Sequence, residues 1–179
     1  AVYLEKYVHP ARHIEVQILA DEEGHVVCLG ERDCSVQRRH QKLLEESPSP
    51  AVDSETRTAL FAAVADAVRA IGYTGAGTLE FLRDPDGNLW FMEMNVRLQV
   101  EHAVSEMLTL VDLVKWQIRT AAGVSLPFSQ TDILMKGAVI ECRINALSPG
   151  TVSLLHVPGG PFVRFDTYLV QGVAVSPVY

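Results

Sequence analysis

The chain has 179 residues, of which 48% are hydrophobic and 21% charged, enough apolar material for one large domain or one domain and part of another. Its 15 Lys+Arg against 22 Asp+Glu give a net charge of -7, which excludes a general nucleic-acid binder, because phosphate contacts need a basic face. No apolar run reaches the ~18 residues of a membrane span. Cys28, Cys34 and Cys142 lack the count and spacing of a disulfide framework or a zinc site, which predicts reduced thiols in a cytoplasmic protein.

Residues 2 to 7 and 13 to 20 read as strands. In the second, His13, Glu15 and Gln17 alternate with Ile14, Val16 and Ile18, the period of a half-buried strand. A turn at 21–24 and a strand from Val26 complete a hairpin. Residues 34 to 42 are polar and basic and read as an ordered loop. Ser47-Pro48-Ser49-Pro50 breaks the pattern. A helix is predicted over about 54–70, capped by Asp53 or Ser54 and burying Leu60, Val64, Val68 and Ile71, with Gly72 ending it.

Strands over 76–83 and 88–95 flank Asp84-Pro85-Asp86-Gly87, a hairpin signal. One helical stretch, 103–122, carries Val104, Met107, Leu108, Val111, Val114 and Ile118 on one face, and Gly123 stops it. A β-rich segment starts near Lys136. Both ends fall within a pattern, so the sequence reads as a piece of a longer chain. The element order indicates an α+β fold with mainly antiparallel sheet.

Glu80 lies in the first strand of the 76–95 hairpin; Glu93 and Asn95 lie in the second. A two-residue turn at Asp86-Gly87 places Glu80 opposite Glu93; a four-residue loop makes them diagonal. Both registers put all three side chains on one face, and only an odd slip separates them. Two neighbouring carboxylates repel, and a divalent cation relieves the repulsion; oxygen ligands suit Mg²⁺ or Mn²⁺. The plainer alternative is a solvated face with two surface glutamates.

Arg97, Gln99 and Glu101 follow at every second position, with Val96, Leu98 and Val100 between them. Such a set can hold a small anion with Arg97 and take its proton with Glu101; alternatively it is an edge strand with a polar outer face. The segment 30–50 offers Gln37, Arg38, Arg39, His40 and Lys42 as donors to phosphate or nucleotide groups, unless it is a solvated charge run.

GERDCSVQRRHQK (30–42), GTLEF (77–81), MNVRLQVEH (94–102) and ECRIN (141–145) together resemble, in order, the signatures of biotin carboxylase, a member of the ATP-grasp superfamily. The resemblance spans nearly the whole chain. It implies the C-terminal part of an ATP-grasp domain over 1–135, an antiparallel sheet with flanking helices, and the start of a β-rich C-terminal domain over 136–179. An N-terminal domain and a glycine-rich phosphate lid would precede it.

The resemblance also implies roles. Glu80, Glu93 and Asn95 would hold two Mg²⁺ or Mn²⁺ ions. Glu5, Lys6, Val8, His13, Gln37, His40 and Leu82 would contact ATP. Lys42 and Arg97 would hold phosphate and bicarbonate, with Gln99 and Val100 alongside. Glu101 would be the base, and Arg143 would stabilise the biotin enolate. The implied reaction is ATP-dependent carboxylation of biotin on a carrier protein or domain, the first half-reaction of a biotin-dependent carboxylase such as that of fatty acid biosynthesis. A carboxyltransferase and a second copy of the protein would be partners. The alternatives are another ATP-grasp ligase, such as a carbamoyl-phosphate synthetase, or a non-catalytic remnant. Two departures stand out: 146–150 is shorter than the family's stretch, and Ala103 stands where proline is usual.

Overall fold

The computed structural model describes residues 2–176, and its contacts divide the chain into two units, Ala1–Arg143 and Ile144–Tyr179. The first unit is built on a six-stranded sheet. Its strands are β1 (Arg12–Ala20), β2 (Val26–Arg38), β3 (Gln41–Ser47), β4 (Gly75–Arg83), β5 (Leu89–Asn95) and β6 (Val139–Cys142), in the order β5-β4-β1-β2-β3-β6. Every pairing is antiparallel. Among the described residues, three α-helices accompany the sheet: α1 (Ser54–Ala70), α2 (His102–Thr109) and α3 (Leu113–Ala121).

The alternation in β1 sorts the two faces of the sheet. Ile14, Val16, Ile18 and Ala20 pack with Leu60, Val64, Ala65 and Val68 of α1, each large side chain contributing roughly 1.5–3 kcal/mol by burial. Asp53 starts α1 by accepting the Thr56 N–H at 2.8 Å. On the other face, Leu19 joins Val27, Leu29, Ala76 and Leu113 in a second apolar cluster. Glu15 and Gln17 share that face and are also fully buried. The polar side of β1 is therefore interior, not the solvated side its alternation predicts.

Several predicted elements differ. Residues 2–7 form no strand; they are exposed. Residues 34–38 belong to β2 rather than to a loop, and the chain reverses at Arg39 and His40, both with positive φ (53° and 63°). The predicted 103–122 helix is two helices. Leu110 adopts φ 60° and caps α2, which shifts the phase: Leu113 and Thr120 point inward, while Val114 and Ile118 are exposed. Ile71 lies past the end of α1 and is exposed too.

In the second unit, β7 (Gly150–Thr151) pairs with β8 (Ala174–Val175). Bonds from the Val152 N–H to the Val173 carbonyl at 2.9 Å and from the Gly172 N–H to the Val152 carbonyl at 2.8 Å extend this pairing. Among the described residues of this unit, regular strand is thus sparser than in the expected β-rich segment. The contacts also separate the units after Arg143, where the sequence reading divides the chain at 135/136, because β6 bonds to β3 and stays with the first sheet.

Candidate active site

The polar face of β1 opens into a cavity of about 640 Å³ within the first unit. β1 supplies His13, β3 Lys42, β4 Glu80 and Leu82, β5 Glu93 and Asn95; the segment after β5 supplies Arg97, Gln99, Val100 and Glu101, and Arg143 follows β6. Gln37 and His40 also line it. Glu5, Lys6 and Val8 do not. Their stretch makes no ladder with the sheet, and Lys6 instead places its ammonium 3.6 Å over the Trp90 ring.

Lys42 is the hub. Its Nζ lies 2.5 Å from Glu15 Oε2, 2.7 Å from Glu101 Oε1 and 3.0 Å from Glu80 Oε1. Burial disfavours its charge, but Glu15 above all, with Glu101, outweighs that and raises the ammonium's pKa. Beneath it sits Arg32, fully buried. Its guanidinium donates to Glu15 at 2.6 Å, to Gln17 at 2.8 Å, to Ser105 at 2.9 Å and to Gln99 at 3.2 Å. A buried guanidinium needs this many acceptors to offset desolvation.

Glu80 is equally committed. Oε1 accepts from Gln99 at 2.8 Å and Asn95 at 3.0 Å; Oε2 lies 2.7 Å from His13 Nε2. Burial pushes its carboxyl up, yet His13 and Lys42 together hold it well below the usual carboxylate range. Glu101 shows the same balance: burial raises its pKa, the Lys42 ammonium lowers it, and the net is downward. Its second oxygen accepts from Arg143 Nη2 at 3.1 Å.

Glu80 and Glu93 sit directly opposite each other, although the hairpin does not close with a two-residue turn. The Asp84 N–H bonds to the Asn88 carbonyl at 3.0 Å, so Pro85, Asp86 and Gly87 form a three-residue loop. Next to it the register pairs Phe81 with Phe91, one residue off; it then shifts between Glu80 and Phe81, leaving Met92 as an extra residue in β5. This bulge restores the parity that the odd loop breaks, and with it the shared face.

The donor set fits a hard divalent cation. Asn95 Nδ2 reaches both Glu80 Oε1 (3.0 Å) and Glu93 Oε1 (3.2 Å), so the two carboxylates and the amide converge on one point. An amide turned over offers oxygen there, completing three oxygen ligands. His13, Glu15 and Glu80 also bring possible ligand atoms within 4.8 Å of one another. There, however, Lys42 and Arg32 already neutralise Glu15, which makes that group the weaker candidate.

Residues 96–101 are not a strand. Gln99 and Glu101 nevertheless turn inward and are buried, while Val100 is exposed and Arg97 bonds the carbonyl of its neighbour Leu98 at 3.3 Å. Sequence reasoning missed Glu15 and Arg32. Glu15 shares the parity of His13, and that was the available signal. Arg32 carried none, because its acceptors come from β1, β4, α2 and the 96–101 segment.

Among the described residues no helix is long and apolar enough to cross a membrane. Residues 1–129 match the family described as carbamoyl-phosphate synthase L chain, ATP binding domain. Biotin carboxylase 1, chloroplastic, of Populus trichocarpa is 53% identical over 186 residues, covering 99% of this chain and 35% of that protein. Biotin carboxylase of Haemophilus influenzae is 52% identical over 185 residues, covering 99% of this chain and 41% of that protein. This chain therefore spans about two fifths of the length of these relatives. Among solved structures, the biotin carboxylase domain of the Hydrogenobacter thermophilus 2-oxoglutarate carboxylase, a dimer in complex with MgADP, ADP and bicarbonate, superposes with a TM-score of 0.95. It is 50% identical, over 98% of this chain and 40% of that one. Biotin carboxylase from Campylobacter jejuni gives a TM-score of 0.94 at 48% identity, over 98% and 40%. With the ordered signatures, the antiparallel sheet and these matches together, the chain belongs to the carbamoyl-phosphate synthase L chain ATP-binding domain family, with biotin carboxylases as its relatives at about half identity.

Proposed function

We propose that this chain supplies the phosphoryl-transfer and bicarbonate side of an ATP-dependent biotin carboxylase, acting on biotin carried by a carrier protein or domain. The single observation that carries this reading is Lys42, held at once by Glu15, Glu80 and Glu101. That arrangement joins the carboxylates that would hold a cation to the carboxylate that would act as base. In this reading Glu80, Glu93 and Asn95 hold Mg²⁺ or Mn²⁺, and the ion supplies charge neutralisation for the transferred phosphoryl group. His13, Gln37, His40 and Leu82 line the nucleotide side of the cavity. Glu5, Lys6 and Val8 join them only if the 2–10 stretch folds against the nucleotide.

Arg97, Gln99 and the Val100 backbone orient bicarbonate, and Glu101 takes its proton. The bicarbonate oxygen attacks the γ-phosphorus, the bond to the β-γ bridging oxygen breaks, and ADP leaves. Carboxyphosphate then releases CO₂. The phosphate accepts the N1 proton of biotin, N1 attacks CO₂, and Arg143 stabilises the enolate oxygen by preorganised charge. Residues 144–179 would open a second domain, and a carboxyltransferase and a second copy of the protein are the expected partners. The free thiols of Cys28, Cys34 and Cys142 favour a cytoplasmic setting; relatives named chloroplastic make a plastid the other compartment.

The test joins this chain to the N-terminal segment of a biotin carboxylase and measures bicarbonate-dependent ATP hydrolysis with and without free biotin. Hydrolysis raised by biotin supports the reading. Hydrolysis indifferent to biotin leaves a different ligase of the same family, such as a carbamoyl-phosphate synthetase. No hydrolysis from a well-folded assembly points to a remnant.

A further inference from the structure

Glu45 and Glu141 stand directly opposite each other in the β3–β6 ladder. Glu45 is fully buried. Like charges in such a cross-strand position repel, and burial removes the water that would screen them. Among the described residues, Glu45 Oε2, Glu141 Oε2 and Arg143 Nε are buried side-chain atoms without a hydrogen-bond partner. Two orphaned carboxyl oxygens, on residues paired directly across the ladder, lack a donor. One proton supplies it: the protonated carboxyl donates and the ionised one accepts.

Arg143 reads the state of this pair. Its Nη2 lies 3.1 Å from Glu101 Oε2 and 3.5 Å from Glu45 Oε1. We propose that Glu45 and Glu141 share one proton and that this proton positions Arg143: while it is present Arg143 faces Glu101, and when it leaves Arg143 is drawn to the pair. Glu141, which no role above uses, is then a positioning residue acting through Arg143. The consequence for catalysis rests on the reading of Arg143 and Glu101 proposed above; the shared proton does not.

Arg143, Glu101 and His102 at the start of α2, Glu15 of β1 and Arg32 of β2 act electrostatically on the pair. For Glu45, burial and then Glu141 push the carboxyl up to about 7, against Arg143. For Glu141, burial pushes upward and Arg143 opposes, with the net upward.

The deciding experiment is carbon-detected NMR of the full 179-residue chain, with glutamate side-chain carboxyls labelled and titrated from pH 4 to 9. One carboxyl of the pair should titrate near pH 7. Glu141→Gln replaces the shared proton with a permanent N–H donor and removes the like charge, so Glu45 should move toward the ordinary glutamate value of about 4.3. Glu45→Gln, read at Glu141, is the reciprocal measurement should the first variant misfold. Both carboxyls titrating in the ordinary range, or Glu45 unmoved by Glu141→Gln, overturns the shared proton. The positioning role is read in the assembled enzyme. There Glu141→Gln should flatten the alkaline limb of biotin-stimulated turnover, and an unchanged limb overturns that role. Absence of all ATP hydrolysis would count against the function proposed above and would leave the NMR result standing.

Discussion

Glu80 faces Glu93 across β4 and β5, with Met92 an extra residue in its strand. Removing it turns the bulge into a regular ladder in which Glu93 follows Phe91 and still pairs with Glu80. Deletion of Met92 should therefore leave both the sheet, by circular dichroism, and Mn²⁺-nucleotide binding intact, whereas Glu93→Ala should weaken that binding by at least tenfold, read by calorimetry in the assembled enzyme. Unchanged binding in Glu93→Ala would show that Glu93 is no ligand.

Glu101→Gln keeps the size of the side chain but cannot accept a proton. Loss of a general base typically costs about 10²–10⁴-fold, so bicarbonate-dependent ATP hydrolysis should fall by that range while nucleotide affinity changes little. A loss below tenfold would remove Glu101 from the role of base.

Arg32→Met strands the buried Glu15 carboxylate with Lys42 as its remaining cation. Breaking a buried pair by removing one partner costs roughly 3–5 kcal/mol, and urea denaturation should register a loss of that size. The double variant Arg32→Met with Glu15→Leu should recover much of it, since it removes the stranded Glu15 carboxylate while Lys42 keeps Glu80 and Glu101 as partners.

Acid should destabilise the site through Glu101, whose folded-state pKa is lowered chiefly by Lys42 against the upward push of burial. A depressed carboxylate adds stability above its unfolded value, and that stability disappears as pH falls through the folded value. The denaturation midpoint of the wild type should drop faster than that of Glu101→Gln below about pH 4.3. Parallel curves would show that the Lys42–Glu101 contact contributes nothing.

The sheet was readable where one period dominates. β1, α1 and the 76–95 hairpin follow from alternation, a helical stripe and a turn, and those signals are local. The break at Leu110 was not readable, because the apolar spacing runs through it and only the left-handed backbone of that residue resets the phase. Residues 2–7 carry strand-like residues but pair with no strand among the described residues. Within the site, parity placed Glu80, Glu93 and Asn95 on one face for a reason that was incomplete: it assumed an even loop, whereas the structure has an odd loop and a bulge. Arg32 and the Glu45–Glu141 pair were invisible because they depend on which strands become neighbours.

The reversal at Arg39 and His40 has a practical side. Turns with two left-handed residues are ordinarily closed by asparagine and glycine, and a non-glycine residue there costs of order 1 kcal/mol. Anyone engineering a sturdier chain would go first to this hairpin. Doing so would strip a guanidinium and an imidazole from the cavity rim, so the easiest gain in robustness lies where the molecule has most to lose in recognition.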